Sequence, residues 1–148
     1  MSYRVRSAAE RRTEIQARAT AMGIDEAFIS TLVDTFYERV RADARLGPIF
    51  TGAIEDWDEH LPKMKAFWSS VTLNTGKYNG RPVPAHTKLT NVDPDDFQAW
   101  LSLFKQTLTD IAPSTEAVSY FMERAERIAK SLQFAMFSLP SLNTDIHT

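Results

Sequence analysis

Three histidines are the residues of this chain best suited to bind a metal ion, and the chain contains no cysteine. The absence of cysteine excludes disulfides, thiolate metal sites, cysteine nucleophiles and covalent attachment of a cofactor through a Cys-x-x-Cys-His motif. His147 lies in the C-terminal tail, where chains are usually poorly ordered. His60 and His86 are therefore the two candidate metal ligands.

The surroundings of these two histidines leave their roles open. His60 lies at helical spacing from Trp57, Met64 and Phe67, and a half-buried histidine with one satisfied ring nitrogen is common on such a face. His86 follows a loop that contains proline and begins a short helical turn, where a surface or capping role is common. By spacing alone, each histidine is a plausible ligand, and neither is required to be one.

The spacing of the histidines disfavours two common kinds of metal site. A zinc site built from both would need a third ligand nearby, and no His-x-x-x-His or His-Glu-x-x-His motif occurs. A di-iron bundle needs repeated Glu-x-x-His motifs, and the sequence has none. Haem differs, because one axial imidazole can hold the iron while apolar side chains pack on the porphyrin. Haem is therefore the metal group that suits this chain best.

Two further side chains, Tyr37 and Trp100, combine an apolar ring with one hydrogen-bond donor. Each could simply fill the core with its donor satisfied locally. In an apolar pocket, the same donors would stabilise partial negative charge on a small ligand, because a low dielectric strengthens hydrogen bonds. The sequence alone leaves both interpretations open.

The composition indicates one folded domain and excludes several classes of partner. The chain has 148 residues, of which 43% are hydrophobic and 24% charged, and its formal net charge is −2. The near balance of charge gives no electrostatic case for nucleic acid, and no apolar run is long enough to span a membrane. The arginine-rich N-terminus lacks the apolar stretch of a secretory signal, and Glu10 and Glu14 disfavour a transit peptide. We expect a cytoplasmic monomer.

The hydrophobic pattern predicts an all-α protein with five or six helices and no strands. Asp25, Asp93 and Ser114 are predicted helix caps, Gly47-Pro48 is expected to end a helix, and residues 76–84 are expected to form a loop. The predicted helices run from about Ala8 to Ala21, from Asp25 to about Ala44, from near Asp56 to about Asn74, from Asp93 to Pro113 and from Ser114 to about Met136, with one turn over Ala85–Leu89.

A set of motifs extends from about Asp25 to Phe137. It comprises Leu46-Gly47-Pro48-Ile49-Phe50, Trp57, His60-Leu61, Phe67-Trp68, Tyr78-Asn79-Gly80-x-Pro82, His86 and Trp100-Leu101-x-Leu103-Phe104. Together these motifs resemble the third group of truncated haemoglobins. The chain also has no Gly-Gly pair, which distinguishes that group from the other truncated globins. The combined pattern is specific, although its single residues are not.

The resemblance implies a truncated globin fold, a two-over-two helical sandwich around one non-covalent haem b, here with an extra N-terminal helix. Residues 1–24 would be a helical extension, residues 25–140 the haem domain and residues 141–148 a tail. The resemblance also assigns side chains to the haem site. His86 would be the proximal iron ligand, and Phe50 would pack on the porphyrin. The distal side would be lined by Tyr37, His60 and Trp100, with Met64 and Phe67 as apolar neighbours. His60 would donate to the ligand, swing out as a gate or bind iron itself.

Three functions follow as hypotheses. The first is reversible binding of dioxygen, nitric oxide or carbon monoxide, including oxygen transport. The second is redox enzymology, either nitric oxide dioxygenation or peroxide chemistry. That function would need a separate reductase, because the chain has no Gly-x-Gly-x-x-Gly fingerprint for a flavin or nicotinamide. The third is a helical interaction module without a cofactor, which would leave the joint placement of the motif residues to chance.

Overall fold

The described part of the chain is helical throughout. The computed structural model describes residues 7–78 and 92–138, and within these ranges it contains six α-helices and no strand. The helices are α1 (Ala8–Ala21), α2 (Glu26–Ala42), α3 (Leu46–Ala53), α4 (Trp57–Leu73), α5 (Pro94–Ile111) and α6 (Thr115–Gln133), followed by a π-helical segment over Phe134–Ser138. The predicted all-α fold is confirmed. The predicted turn over Ala85–Leu89, which carries His86, lies outside the described residues.

Side-chain caps determine where most of these helices begin. At five of the six, a Ser or Asp side chain accepts a hydrogen bond from the backbone N–H three residues later. The capping residues are Ser7, Asp25, Asp56, Asp93 and Ser114. The predicted caps at positions 25, 93 and 114 are therefore confirmed.

The short helix α3 departs from the sequence-based expectation. Gly47 and Pro48 were expected to end a helix, and they lie instead in the first turn of a new one. Proline is well tolerated there because the first turn has no carbonyl partner for its missing N–H. Asp43 replaces a conventional cap, since its Oδ1 accepts from the N–H groups of Arg45 and Leu46, each at 2.9 Å. The result is that Phe50 lies on a helix.

The core is centred on α2, which packs against α3, α4 and α5, while α5 packs against α6. Phe36, Phe104 and Phe121 are among the largest side chains that are fully buried. The Phe104 ring is stacked between Trp68 and Trp100, with centroids 5.0 and 5.2 Å away. The sequence left open which of residues 67 and 68 faces the core, and the structure selects Trp68, which is 3% exposed.

The N-terminal helix α1 packs on α4. Ala19 is fully buried, and Gln16 Nε2 donates to the carbonyl of Leu73 at 3.0 Å. Beyond the helix, the Met22 carbonyl accepts from Ser114 Oγ at 2.9 Å. These contacts join the segment to the body of the molecule, while the boundary at residue 24 stays a prediction. None of the helices described here is long and apolar enough to cross a lipid bilayer.

The close packing of α3 on the end of α2 gives a prediction about Gly47. A Cβ atom at this position would lie 2.8 Å from the carbonyl oxygen of Arg41, and that backbone atom cannot move aside cheaply. We expect Gly47→Ala to lower the free energy of unfolding by about 1–3 kcal/mol, measured by denaturant unfolding followed by circular dichroism.

Gly52→Ala is the matched control, because Gly52 is in the same helix and a Cβ there meets nothing within 4 Å. That variant should be as stable as the parent or up to about 1 kcal/mol more stable. Equal unfolding midpoints for the two variants would show that the contact between α3 and α2 is not tight.

Candidate functional site

Tyr37 lies at the centre of a group of aromatic side chains from three helices. It projects from α2 and is 5% exposed. Its ring centroid lies 5.9 Å from that of Phe50 on α3, 5.8 Å from that of Trp57 on α4 and 5.5 Å from that of His60, also on α4. We call these four residues the Tyr37 cluster. It brings together two of the predicted distal residues and the residue predicted to pack on the porphyrin.

The geometry of α4 explains how two members of the cluster reach Tyr37. Trp57 is the first residue of the helix and His60 is three residues further on, so both project from the same face. Their rings meet edge to face, with centroids 5.7 Å apart and planes at 85°. The Asp56 side chain accepts from the N–H of Glu59 at 3.2 Å and so determines where this face begins.

The hydroxyl of Tyr37 keeps its proton at neutral pH. Burial raises the pKa of Tyr37 well above its ordinary value, because the phenolate would lose its hydration among the surrounding rings. A neutral phenol can donate a hydrogen bond. The arrangement therefore places a hydrogen-bond donor, fixed on α2, beside an imidazole on α4.

Trp100 is connected to this cluster through one intervening ring. It lies on α5, is half-buried, and contacts Phe36 edge to face at 5.4 Å between centroids. Phe36 in turn contacts Tyr37 at 5.2 Å. Trp100 is thus a neighbour of the cluster and not a member of it.

An ion pair holds the start of α5, and hence Trp100, against the corner between α2 and α3. Arg45 Nε donates to Asp96 Oδ1 at 2.6 Å, and a second Arg45 nitrogen lies 3.3 Å from Asp93 Oδ1. Burial alone would raise the pKa of Asp96, but hydrogen bonds from the Asp93 amide and from Arg45 outweigh it, so that pKa is lowered. Because Trp100 follows Asp96 by one helical turn, this pair fixes its position.

Met64 and Phe67 continue the face of α4 that carries His60. Both are half-buried and pack against the core. The Phe67 ring contacts Trp68 at 5.3 Å and Tyr78 at 5.2 Å between centroids. Phe67 therefore lies at the far end of this face, next to Tyr78.

The partly buried side chains of this region form an apolar surface beside the core. Phe50, Trp57, Met64, Phe67 and Trp100 all pack against buried residues and all keep accessible area. A flat apolar cofactor is the kind of ligand that such a surface can cover. His86, the predicted iron ligand, lies outside the described residues. Over residues 7–78 and 92–138, no group of three or more His, Cys, Asp or Glu side chains is arranged to hold a metal ion.

The sequence motifs alone assign no site role to Trp57 or to Arg41. Trp57 was recognised only as part of a helix face and of a family motif. Arg41 places its guanidinium carbon 4.6 Å from the centroid of the Trp57 ring. The signal for Arg41 was its spacing, since it follows Tyr37 by four residues and thus shares its face of α2.

Comparison with known proteins assigns the chain to a family. The bacterial-like globin family matches residues 20–134, which include all of α2 to α6. The chain belongs to the bacterial-like globin family. Group 3 truncated hemoglobin ctb of Campylobacter jejuni is 37% identical over 118 residues, which cover 77% of this globin and 92% of that protein.

Two further comparisons agree with this assignment. The crystal structure of the group III truncated hemoglobin from Campylobacter jejuni matches with a TM-score of 0.72 at 36% identity, covering 77% of this chain and 92% of that one. Group 2 truncated hemoglobin YjbI of Bacillus subtilis is 32% identical over 116 residues, which cover 74% of this globin and 83% of that protein.

These matches confirm the predicted resemblance to group III truncated haemoglobins and the truncated globin fold. In this globin, α2 packs on α4 and α5 packs on α6, and contact between α2 and α5 joins the two pairs into the two-over-two sandwich. Membership of the family implies a haem cofactor and haem-based binding of a small ligand.

The burial of Tyr37 in this globin predicts a stability that falls in alkali. Because burial raises the pKa of Tyr37 in the folded state, the contribution of this side chain to the free energy of unfolding is complete below the ordinary tyrosine pKa of about 10. That contribution is lost as the pH rises further. The unfolded chain releases this proton and the folded chain does not. Relative to Tyr37→Phe, the parent should lose up to about 1.4 kcal/mol of unfolding free energy per pH unit above pH 10.

Tyrosinate absorbance checks the same point without unfolding. Native parent and Tyr37→Phe proteins should show equal tyrosinate signals up to about pH 11, and should differ by one tyrosine only when unfolded. An additional native-state titration near pH 10 that is missing from the variant would contradict the burial of this hydroxyl.

Proposed function

We propose that this globin binds dioxygen or another small diatomic ligand at the iron of a non-covalent haem b, with His86 as the proximal ligand. The observation that carries the proposal is the placement of Tyr37, a buried and protonated hydrogen-bond donor, in ring contact with His60 inside an aromatic cluster. The family assignment supports the haem, and the sequence motif that resembles group III truncated haemoglobins supports the axial role of His86.

The residues that border the site suit this cofactor. Phe50, Met64, Phe67 and Trp100 offer half-buried apolar area for the porphyrin, and covering that area favours binding by about 25 cal/mol per Å². Haem, when bound, supplies an iron that can take a diatomic ligand. What the chain itself supplies is the apolar surface, the distal donors and the exclusion of water.

The distal donors act on the charge of the ligand. Tyr37 donates a hydrogen bond to partial negative charge on the ligand, and the Trp100 indole N–H is the second candidate donor. Because the surroundings are apolar, each hydrogen bond stabilises the bound ligand more than it would in water. His60 borders the same space from α4, where its ring contacts both Tyr37 and Trp57. These donors slow the release of the ligand.

The axial assignment is tested by optical spectra of the ferric, ferrous and ligand-bound protein and of two histidine variants. We expect His86→Ala to lose haem or its normal spectrum, and His60→Ala to keep both. His147→Ala serves as the control, because that residue lies in the C-terminal tail. Loss of haem in His60→Ala with retention in His86→Ala would reverse the assignment.

A purified protein that shows no porphyrin absorption and takes up no haem would support a cofactor-free helical module.

The role of the distal donors is tested by the rate of dioxygen release. Tyr37→Phe and Trp100→Phe should each release dioxygen about 2- to 10-fold faster than the parent, as expected for loss of one hydrogen bond. Tyr120→Phe is the matched control, because the Tyr120 hydroxyl donates to the carbonyl of Thr72 at 2.8 Å, and its ring contacts no member of the Tyr37 cluster. If Tyr37→Phe and Tyr120→Phe release dioxygen at the same rate in stopped-flow mixing, Tyr37 has no part in retaining the ligand.

A further inference from the structure

A surface arginine lies directly over one ring of the Tyr37 cluster. The Arg41 guanidinium carbon is 4.6 Å from the centroid of the Trp57 ring, within the range of about 6 Å over which cation–π attraction acts. Arg41 is exposed and is the penultimate residue of α2, and Trp57 is the first residue of α4. The contact therefore ties the end of α2 to the beginning of α4.

The Trp57 ring links this arginine to the two polar side chains of the cluster. Its centroid lies 5.8 Å from that of Tyr37 and 5.7 Å from that of His60. A line of contacts thus runs from the solvent-facing guanidinium to the indole, and from the indole to the imidazole. A displacement of Trp57 would leave His60 without one of the rings that confine it.

The position of Trp57 makes it sensitive to such a contact. It begins α4, and the residues at 54–56 that precede it are not helical. Helix ends and the segments next to them open more readily than helix interiors. An added attraction at this point holds the first turn of α4, and with it His60, against Tyr37.

We propose that Arg41 is a positioning residue that limits ligand access by holding Trp57 against His60 and Tyr37. This inference rests on the proposed function, because it concerns the same ligand site. Arg41 has no part in binding the ligand itself. Arg41 determines how often the side chains of Trp57 and His60 move away from Tyr37. It thereby controls the rate at which a ligand enters the site.

A neighbouring arginine on the same helix provides the control. Arg39 projects toward α5, where its guanidinium donates to Asp110 at 2.8 Å and lies 3.4 Å from the Thr107 hydroxyl. It has the same charge as Arg41 and lies two residues away. Any effect of net charge or of general destabilisation should therefore appear in both arginine variants, whereas the positioning effect should appear only at Arg41.

The test measures association of carbon monoxide with the ferrous protein after flash photolysis. Exposed cation–π contacts are weak, so Arg41→Gln should raise the association rate about two- to fivefold. Arg41→Lys keeps a cation and should restore most of the parent rate, while Arg39→Gln should leave the rate unchanged. Trp57→Leu should raise the rate as Arg41→Gln does, and the double variant should be no faster than Trp57→Leu alone.

A second measurement detects the contact without any ligand kinetics. In the carbon monoxide form, the Arg41 side-chain protons should show an upfield ring-current shift in nuclear magnetic resonance spectra, and Trp57→Leu should remove it.

If Trp57→Leu does not fold, the association rates of the surface variants Arg41→Gln and Arg41→Lys test the inference on their own. A protein that takes up no haem contradicts both this inference and the proposed function. If the protein binds haem, an unchanged association rate in Arg41→Gln overturns this inference and leaves the proposed function standing.

Discussion

The contacts of Phe36 are the constraint on which the rest of this structure depends. Its ring is fully buried and lies edge to face against Tyr37, Trp100 and Phe104, with centroids 5.0–5.4 Å apart. Edge-to-face pairs are favoured because the positive edge of one ring meets the negative face of another. Neighbouring residues of a helix point about 100° apart, so Phe36 can face α5 while Tyr37 faces α3 and α4. One turn of α2 thereby positions both candidate donors.

One partly buried ion pair holds the start of α5, and the aromatic core supplies most of the stability. Arg39 pairs with Asp110, and their side chains are 33% and 48% exposed, so solvent screens that pair and it contributes little. The Arg45–Asp96 pair differs, because the Asp96 side chain is only 10% exposed and would be costly to leave without its partner. The two pairs lie near opposite ends of α5. The Arg45–Asp96 pair holds the start of α5 against the corner between α2 and α3, one helical turn before Trp100.

The sequence predicts those features that depend only on residues close together in the chain. Caps such as Asp25, Asp93 and Ser114 could be recognised because a cap involves only the first turn of its own helix. The helix α3 was missed because Gly47-Pro48 is compatible both with the end of one helix and with the start of another. The Asp43 side chain is a local signal for the second alternative, whereas the close approach of Gly47 to the Arg41 carbonyl depends on how the chain turns between α2 and α3.

The candidate site shows the same division between local and tertiary information. Periodicity could not separate Phe67 from Trp68, because they follow Met64 by three and four residues and both spacings are typical of one helix face. In the structure, the Trp68 ring stacks on that of Phe104. The family motif named Tyr37, His60 and Trp100, yet it could not show that Trp100 reaches Tyr37 only by way of Phe36 among the ring contacts described. Helical spacing places Arg41 on the same face of α2 as Tyr37, but its contact with Trp57 depends on how α2 and α4 pack.

The identity of residue 37 supports the role toward a ligand proposed for this side chain. Phenylalanine occupies the buried positions 36, 104 and 121, where packing alone is required. At position 37, which is also buried, the chain has a tyrosine, whose hydroxyl packing alone does not require. That donor is held on α2 by the core, whereas Trp57 and His60 belong to the first turns of α4. Retention of a ligand and access to it would then depend on different helices, so each could be altered without the other.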